Sequence, residues 1–223
     1  MFHVSLWGEA FMKRIGTVVL ALAFVGLIAC GAYADASSSS SSAAESGSGM
    51  VKQGSEKIAI MGAAHYADIA GDADAYAALF AVAGEYGYMV CDQFELAARA
   101  MIALAQFGSN GSQIRVQAYA LTVIPKWRIP VEGNVAPYVG PKAGVAYITG
   151  SANKGGGSFN DAVFIWGAVL GVDIFLSKQT ALFVEYDYTQ FNFDAKFKAG
   201  GTAASGRIRL RDNGITAGLD YWW

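Results

Sequence analysis

Apolar and polar residues alternate along most of the chain after residue 57, and this period of two is typical of β-strands. The stretch "FIWGAVLGVDIFL" (164–176) places its large apolar residues on one face and Gly167, Val169 and Asp173 on the other. The stretch "LFVEYDYTQ" (182–190) separates its apolar and tyrosine side chains from its carboxylates in the same way. "FELAARAMIAL" (94–104) also suits a helix by its Ala, Leu and Met content. Its charged residues share one parity, which favours a strand.

The alternation predicts eight strands separated by turn-forming residues. Their expected ranges are 57–69, 75–89, 93–107, 112–127, 135–149, 160–176, 180–194 and 206–223. Tight connections such as "VCDQ" alternate with Gly-rich ones such as "GSANKGGGS", and each segment exceeds the 9–11 residues of a tilted membrane strand. We therefore predict an all-β fold, an eight-stranded antiparallel up-and-down transmembrane β-barrel over 57–223. A soluble barrel with a buried last strand is the alternative.

Three prolines interrupt the predicted strands, where proline cannot donate a ladder hydrogen bond. We expect Pro125 and Pro130 near the rim of the barrel that carries the tight turns. We expect Pro141 at a β-bulge.

The N-terminal part resembles an export signal followed by a linker. A 14-residue apolar run, Ile15 to Ile28, follows Lys13 and Arg14 and is too short for a comfortable membrane helix. We expect 1–34 to be a signal peptide cleaved after Ala34, with 1–11 an upstream extension if Met12 is the true start. Cleavage before a lipidated Cys30 is the other option. The Ser-rich stretch 35–56 lacks large apolar groups, which predicts a disordered linker.

Four segments resemble the small eight-stranded outer-membrane barrels of Gram-negative bacteria, the OmpA/OmpX-type and the wider outer membrane protein β-barrel family. They are "VAPYVGPKAGVAYI" (135–148), "GEYGYMVCDQFELAA" (84–98), "ALFVEYDYTQF" (181–191) and the ending "TAGLDYWW". The resemblance implies a C-terminal signal, read by the barrel assembly machinery, at Thr216, Gly218, Tyr221 and Trp223. It also implies an integral outer-membrane location. The chain differs from the commonest pattern by ending in Trp rather than Phe.

An eight-stranded barrel is barely wide enough for its own side chains, so inward-facing charges should pair across the lumen. The residues that we expect in this interior charge network are Glu85, Glu95, Arg99, Arg115, Lys142, Asp173, Glu185, Asp187 and Asp220. A polar core that fills the barrel is the simpler interpretation. A gated pore or proton path is the alternative.

Other candidate chemistry is sparse. His65 would be the only histidine of the mature chain, and without a neighbouring nucleophile motif we interpret it as a rim residue. We expect no catalytic residue, metal or cofactor. The basic run "RIRLR" suggests contact of Arg207, Arg209 and Arg211 with anionic lipopolysaccharide, or else a solvated strand end. A net charge of −2 gives no support for nucleic-acid binding.

These features predict an exported integral outer-membrane protein in monomeric form. Its expected partners are membrane lipid, lipopolysaccharide and the assembly machinery. We expect a structural or surface-interaction role without enzymatic activity. A small porin-like channel or hydrophobic-solute transporter is the alternative, and a lipid A-modifying enzyme is a third possibility. A soluble lipocalin-like carrier tethered through Cys30 is a fourth.

Overall fold

The computed structural model describes residues 51–70, 75–109, 112–131, 133–152, 158–199 and 202–223. Side chains within 66–78, 106–114, 152–159 and 193–210 are excluded from this description. The expected signal peptide 1–34, its extension 1–11, Cys30 and linker residues 35–50 lie outside it. Across the described residues, no helix is long and apolar enough to cross a membrane.

Eight antiparallel strands, each bonded to the next and the last to the first, form a closed barrel. The strands are β1 (Glu56–Ala70), β2 (Ala75–Cys91), β3 (Phe94–Ser109), β4 (Ser112–Arg128), β5 (Val135–Ala152), β6 (Ser158–Phe175), β7 (Thr180–Ala199) and β8 (Thr202–Trp222). The fold and strand order predicted from the alternation are confirmed, and most strands extend a few residues beyond their predicted ends. We call the end with the connections 92–93, 129–134 and 176–179 the turn end, and the other the loop end.

The pairing of the strands is staggered in one direction around the barrel. Following hydrogen-bonded partners from Ala59 leads in turn to Glu85, Arg99, Thr122, Gly144, Ile165, Phe191, Leu210 and back to β1 at Ile69. One circuit therefore ends ten residues nearer the loop end of β1. This stagger gives the strands a tilt of about 40° and leaves a narrow interior.

Strand length exceeds what a bilayer needs. The strands have 15 to 21 residues, whereas a tilted membrane strand needs only about 9–11. The surplus lies at the loop end, beyond the exposed aromatic side chains of Phe80, Tyr119 and Tyr147. Exposed Tyr88, Tyr221 and Trp223 form the corresponding ring at the turn end. The outward side chains between these two rings are mainly aliphatic, as lipid contact requires.

Two prolines occupy one weak point of the sheet. The β4–β5 register is the same on both sides of a gap between Val123 and Trp127, which places Pro125 opposite Pro141. Neither residue can donate a backbone hydrogen bond to the sheet, so both missing donors lie at one pair of opposed residues. The expected bulge at Pro141 is therefore wrong, and Pro125 lies inside β4. Pro130 lies just beyond β4 at the turn end, as expected.

A short segment before β1 closes the turn end of the barrel. Val51 is buried in an apolar cluster with Met89, Phe175, Ala181 and Trp222. Gly54 N–H donates to the Met89 carbonyl at 2.9 Å, and Met89 N–H donates to Ser55 at the same distance. Residues 51–55 are therefore held by specific contacts, although the prediction includes them in a disordered linker. The linker prediction missed this because one valine supplies the apolar anchor.

Inward-facing glycines allow neighbouring strands to approach closely. A Cβ added to Gly167 would collide with the Tyr188 carbonyl oxygen of β7. It would also lie only 3.1 Å from Thr189 Cα. A side chain here would have to displace backbone, because the obstacles are main-chain atoms rather than flexible side chains.

We expect Gly167→Val to reduce the yield of folded barrel sharply, because its Cβ would collide with β7. Ala168→Val is the matched control, since Ala168 points outward and is exposed. The measurement compares the mobility of boiled and unboiled samples on SDS gels, where a folded barrel migrates faster. Equal folded fractions for the two variants would contradict this account.

Candidate functional site: the barrel lumen

Charged side chains fill the lumen between the turn end and mid-barrel. In the described residues, the buried cations are Lys57, Arg99, Lys126, Arg128 and Lys142, and the carboxylates paired with them are Glu85, Glu95, Asp173, Glu185, Asp187 and Asp220. We call these eleven residues the lumen network. They are brought together because inward positions of all the strands from β1 to β8 converge on a narrow axis.

Arg99 links the two sides of the lumen. Its Nε and Nη2 donate to Glu85 Oε2 at 2.8 and 2.6 Å, and Nη1 donates to Glu185 Oε1 at 2.7 Å. The same Nη1 lies 3.6 Å from Asp187, which also pairs with Lys142. The planar guanidinium suits this arrangement because it can donate to several carboxylate oxygens in one plane.

A second group of ion pairs lies nearer the turn end. Arg128 Nη2 lies 2.5 Å from Glu95 Oε2, and its Nη1 lies 2.6 Å from Asp173 Oδ2. Lys57 Nζ lies 2.9 Å from Glu95 Oε1 and 3.0 Å from Glu85 Oε1. Shared partners therefore join both groups into one continuous network.

Two aromatic rings complete the packing around the cations. Lys126 Nζ lies 4.8 Å from the Tyr138 ring centroid, and the Arg128 guanidinium lies 4.8 Å from the Trp222 ring. The Tyr138 hydroxyl donates to Glu185 at 3.0 Å. A Cβ on Gly171 would come within 2.5 Å of the Tyr138 ring, so glycine leaves the space that this ring occupies.

The structure places eight of the nine predicted network residues in the lumen and places Arg115 outside. Glu85, Glu95, Arg99, Lys142, Asp173, Glu185, Asp187 and Asp220 are all buried. Arg115 is exposed on the outward row of β4, along with Tyr119 and Leu121. The prediction failed because β4 extends beyond the aromatic ring, and an outward charge in that region does not meet hydrocarbon.

Sequence reasoning missed Lys57, Lys126, Arg128 and Tyr138. The alternation of the strand contains the signal. Ile58 and Ile60 point outward, so Lys57, an odd number of residues before each of them, must point inward. Lys126 and Arg128 share the inward parity of Ile124.

His65 lies in the lumen, so its interpretation as a rim residue is wrong. It is 7% exposed, and its Nδ1 lies 3.0 Å from Asp212 Oδ2. Neither ring nitrogen makes a hydrogen bond of good geometry with the described residues. The ring packs against Gly214, where an added Cβ would collide with it. In the described part of the chain, no group of three or more His, Cys, Asp or Glu residues is arranged to hold a metal ion.

The residues of the expected C-terminal signal divide between the two faces of β8. Thr216 is buried and Gly218 shares its inward parity, whereas Tyr221 and Trp223 are exposed and stack with centroids 6.1 Å apart. Trp223 also exchanges backbone hydrogen bonds with Glu56, at 3.0 and 3.1 Å, which closes β8 against β1. Of the basic run, Arg211 is exposed, and the side chains of Arg207 and Arg209 lie outside the described set.

The loop-end half of the lumen has a different character. A cavity of about 50 Å³ is lined mainly by small and aliphatic side chains, including Ala103, Ala120, Ala146 and Ile165. Its floor carries polar groups of the lumen network, among them Arg99. The interior therefore becomes less charged toward the loop end, although Thr189 and Asp212 also line the cavity.

The sequence and fold match known outer-membrane proteins. The model of the outer membrane protein beta-barrel domain matches residues 20–221. The chain belongs to this family. Its place in the cell is the outer membrane.

Solved structures of small barrels share the fold. The match to Neisserial surface protein A has a TM-score of 0.53 and 14% identity, covering 74% of this chain and 96% of that one. The match to OprG from Pseudomonas aeruginosa has a TM-score of 0.52 and 15% identity, covering 77% and 97%. No curated protein matches the chain. At these identities the likeness shows the fold alone.

We expect Glu95→Gln to cost about 3–5 kcal/mol of unfolding free energy, because it removes a buried partner of both Arg128 and Lys57. Asp220→Asn should cost about 1 kcal/mol, the usual net contribution of one hydrogen bond, because Lys57 keeps Glu85 and Glu95 as partners. Asp220 contacts Lys57 at 3.4 Å, its Oδ1 has no hydrogen-bond partner among the described residues, and the network holds one more carboxylate than cations. Urea unfolding of the barrel in lipid vesicles measures both values. An equal loss in the two variants would refute this ranking.

Proposed function

We propose that this protein is a structural and surface-display barrel whose lumen does not conduct ions. The observation that carries the proposal is the lumen network, in which every cation contacts at least one buried carboxylate. An ion entering this region would have to displace paired charges in a low-dielectric interior, and breaking such pairs is costly. The apolar cluster around Val51 supports the same conclusion at the turn end.

The proposal includes export and assembly. A signal peptide cleaved after Ala34 would carry the chain across the inner membrane, and Tyr221 and Trp223 would present the strand that the assembly machinery reads. The barrel would act as a monomer whose loop end faces outward, with Arg207, Arg209 and Arg211 near anionic lipopolysaccharide. The exposed position of Arg211 supports this contact.

We also propose that the protein is not an enzyme. His65 and Asp212 form the pair that most resembles a base with its orienting carboxylate. However, Nε2 of His65 has no hydrogen-bond partner among the described residues, so no nucleophile is aligned with it.

We expect the purified barrel to give no stable conductance steps in planar lipid bilayers. The same preparation should show a faster band on SDS gels before boiling and should fractionate with outer membranes. This control separates a closed, correctly folded barrel from an unfolded one. Reproducible steps from heat-modifiable protein would favour the channel instead.

A hydrophobic-solute transporter is the second candidate, and the apolar cavity at the loop end favours it. Such a barrel would accept an apolar solute among the alanines without conducting ions. Filling the cavity by Ala146→Phe should then lower uptake of a small hydrocarbon into cells, whereas outward Ala143→Phe should not. Unchanged uptake in both variants would leave the structural role as the better account.

A further inference from the structure

An apolar groove crosses the outward surface of β1–β5. Gly84 and Ala100 form its floor, because their small side chains leave a depression between larger neighbours. The groove has a volume of about 650 Å³. Ile60, Val82, Ile102, Leu121, Tyr119 and Tyr147 form much of its walls.

The groove follows the direction of the sheet hydrogen bonds. One rung runs from Ile60 through Gly84, Ala100 and Leu121 to Val145. Because each circuit of the ladder gains ten residues toward the loop end, this rung climbs from β1 to β5. The upper end of the groove is therefore at β4 and β5, where Tyr119 lies opposite Tyr147.

Polar side chains lie immediately beyond that tyrosine pair. On the outward row of β4, Tyr119 is followed toward the loop end by Gln117 and then Arg115, and all three are exposed. Their partners on β5 are Thr149 opposite Gln117 and Ser151 opposite Arg115. The surface thus changes along one line from aliphatic to aromatic to polar and cationic.

This order of aliphatic, aromatic and cationic surface matches an outer-leaflet lipid, from its acyl chain to its phosphorylated headgroup. Tyrosines favour the interface between hydrocarbon and headgroups, which places Arg115 at headgroup depth. A guanidinium there can donate two hydrogen bonds to a phosphate. The groove below it is apolar and climbs toward the loop end from about the middle of the bilayer, because Gly84 is four residues from both Tyr88 and Phe80 on β2.

We propose that the groove and Arg115 form a binding site for one phosphorylated glycolipid of the outer leaflet. An acyl chain lies over Gly84 and Ala100, and a phosphate binds Arg115. The inference rests on the proposed function in one respect, because it needs the loop end to face outward. It concerns a different surface from the Arg207–Arg211 run.

The test is native mass spectrometry of the full-length exported protein, extracted in detergent and titrated with bisphosphorylated lipid A. The wild type should retain one lipid A. Arg115→Gln should weaken retention about fivefold, in line with the usual contribution of one cation at a membrane surface. Ala100→Phe should give a comparable loss by filling the groove floor.

Matched controls lie on other parts of the outward surface. Lys178→Gln removes an exposed cation of the connection 176–179 at the turn end, and Ala168→Phe enlarges an exposed alanine of β6. Both should retain lipid A as the wild type does. The faster SDS-gel band before boiling shows that each variant is folded, and Ala100→Leu replaces Ala100→Phe if the latter fails to fold.

Three results would overturn the proposal. Equal retention of lipid A by Arg115→Gln and the wild type would show that Arg115 does not bind the phosphate. Loss of lipid A in a further variant, Arg211→Gln, with no loss in Arg115→Gln, would move the site to the basic run. Equal retention of phosphatidylglycerol, with no effect of either groove variant, would mean unspecific lipid contact. Because heat-modifiability and conductance are scored separately, failure here is distinguishable from failure of the structural role.

Discussion

Every backbone N–H and C=O group within the hydrocarbon must find its partner inside the protein, and this constraint governs the whole molecule. It requires the sheet to close, which β8 and β1 do through reciprocal hydrogen bonds between Trp223 and Glu56. It also explains the position of the prolines. Pro125 and Pro141 lie opposite each other, so that two absent donors weaken a single rung of the ladder rather than two.

Closure with only eight strands has a direct consequence for the interior. The lumen is too narrow for bulk water, so each inward charge must be satisfied by another side chain. This is why the cations and carboxylates form a continuous network rather than isolated pairs. Arg99 and Lys57 each contact more than one carboxylate, so the loss of a single partner affects several groups at once.

Much of this architecture follows from the period-two pattern, because lipid imposes it on one face of every strand. The number and order of the strands and the face on which most side chains lie could be predicted, and so could eight residues of the lumen network. The failures occur where that constraint is absent. Arg115 lies on a part of β4 beyond the hydrocarbon region, where outward polarity costs little. Val51 is held by contacts with residues distant in sequence, which no local pattern records.

The side chains that sequence reasoning missed also decide the character of the barrel. Without Lys57, Lys126 and Arg128, the predicted interior would hold an excess of carboxylates, which is compatible with a cation pathway. With them, positive and negative charges nearly balance and the carboxylates are engaged. A polar inward face is therefore weak evidence for a pore, because the same pattern of acidic residues serves either function. What separates the two is whether cations at the strand ends point inward, and at Lys126 and Arg128 parity with Ile124 indicates that they do.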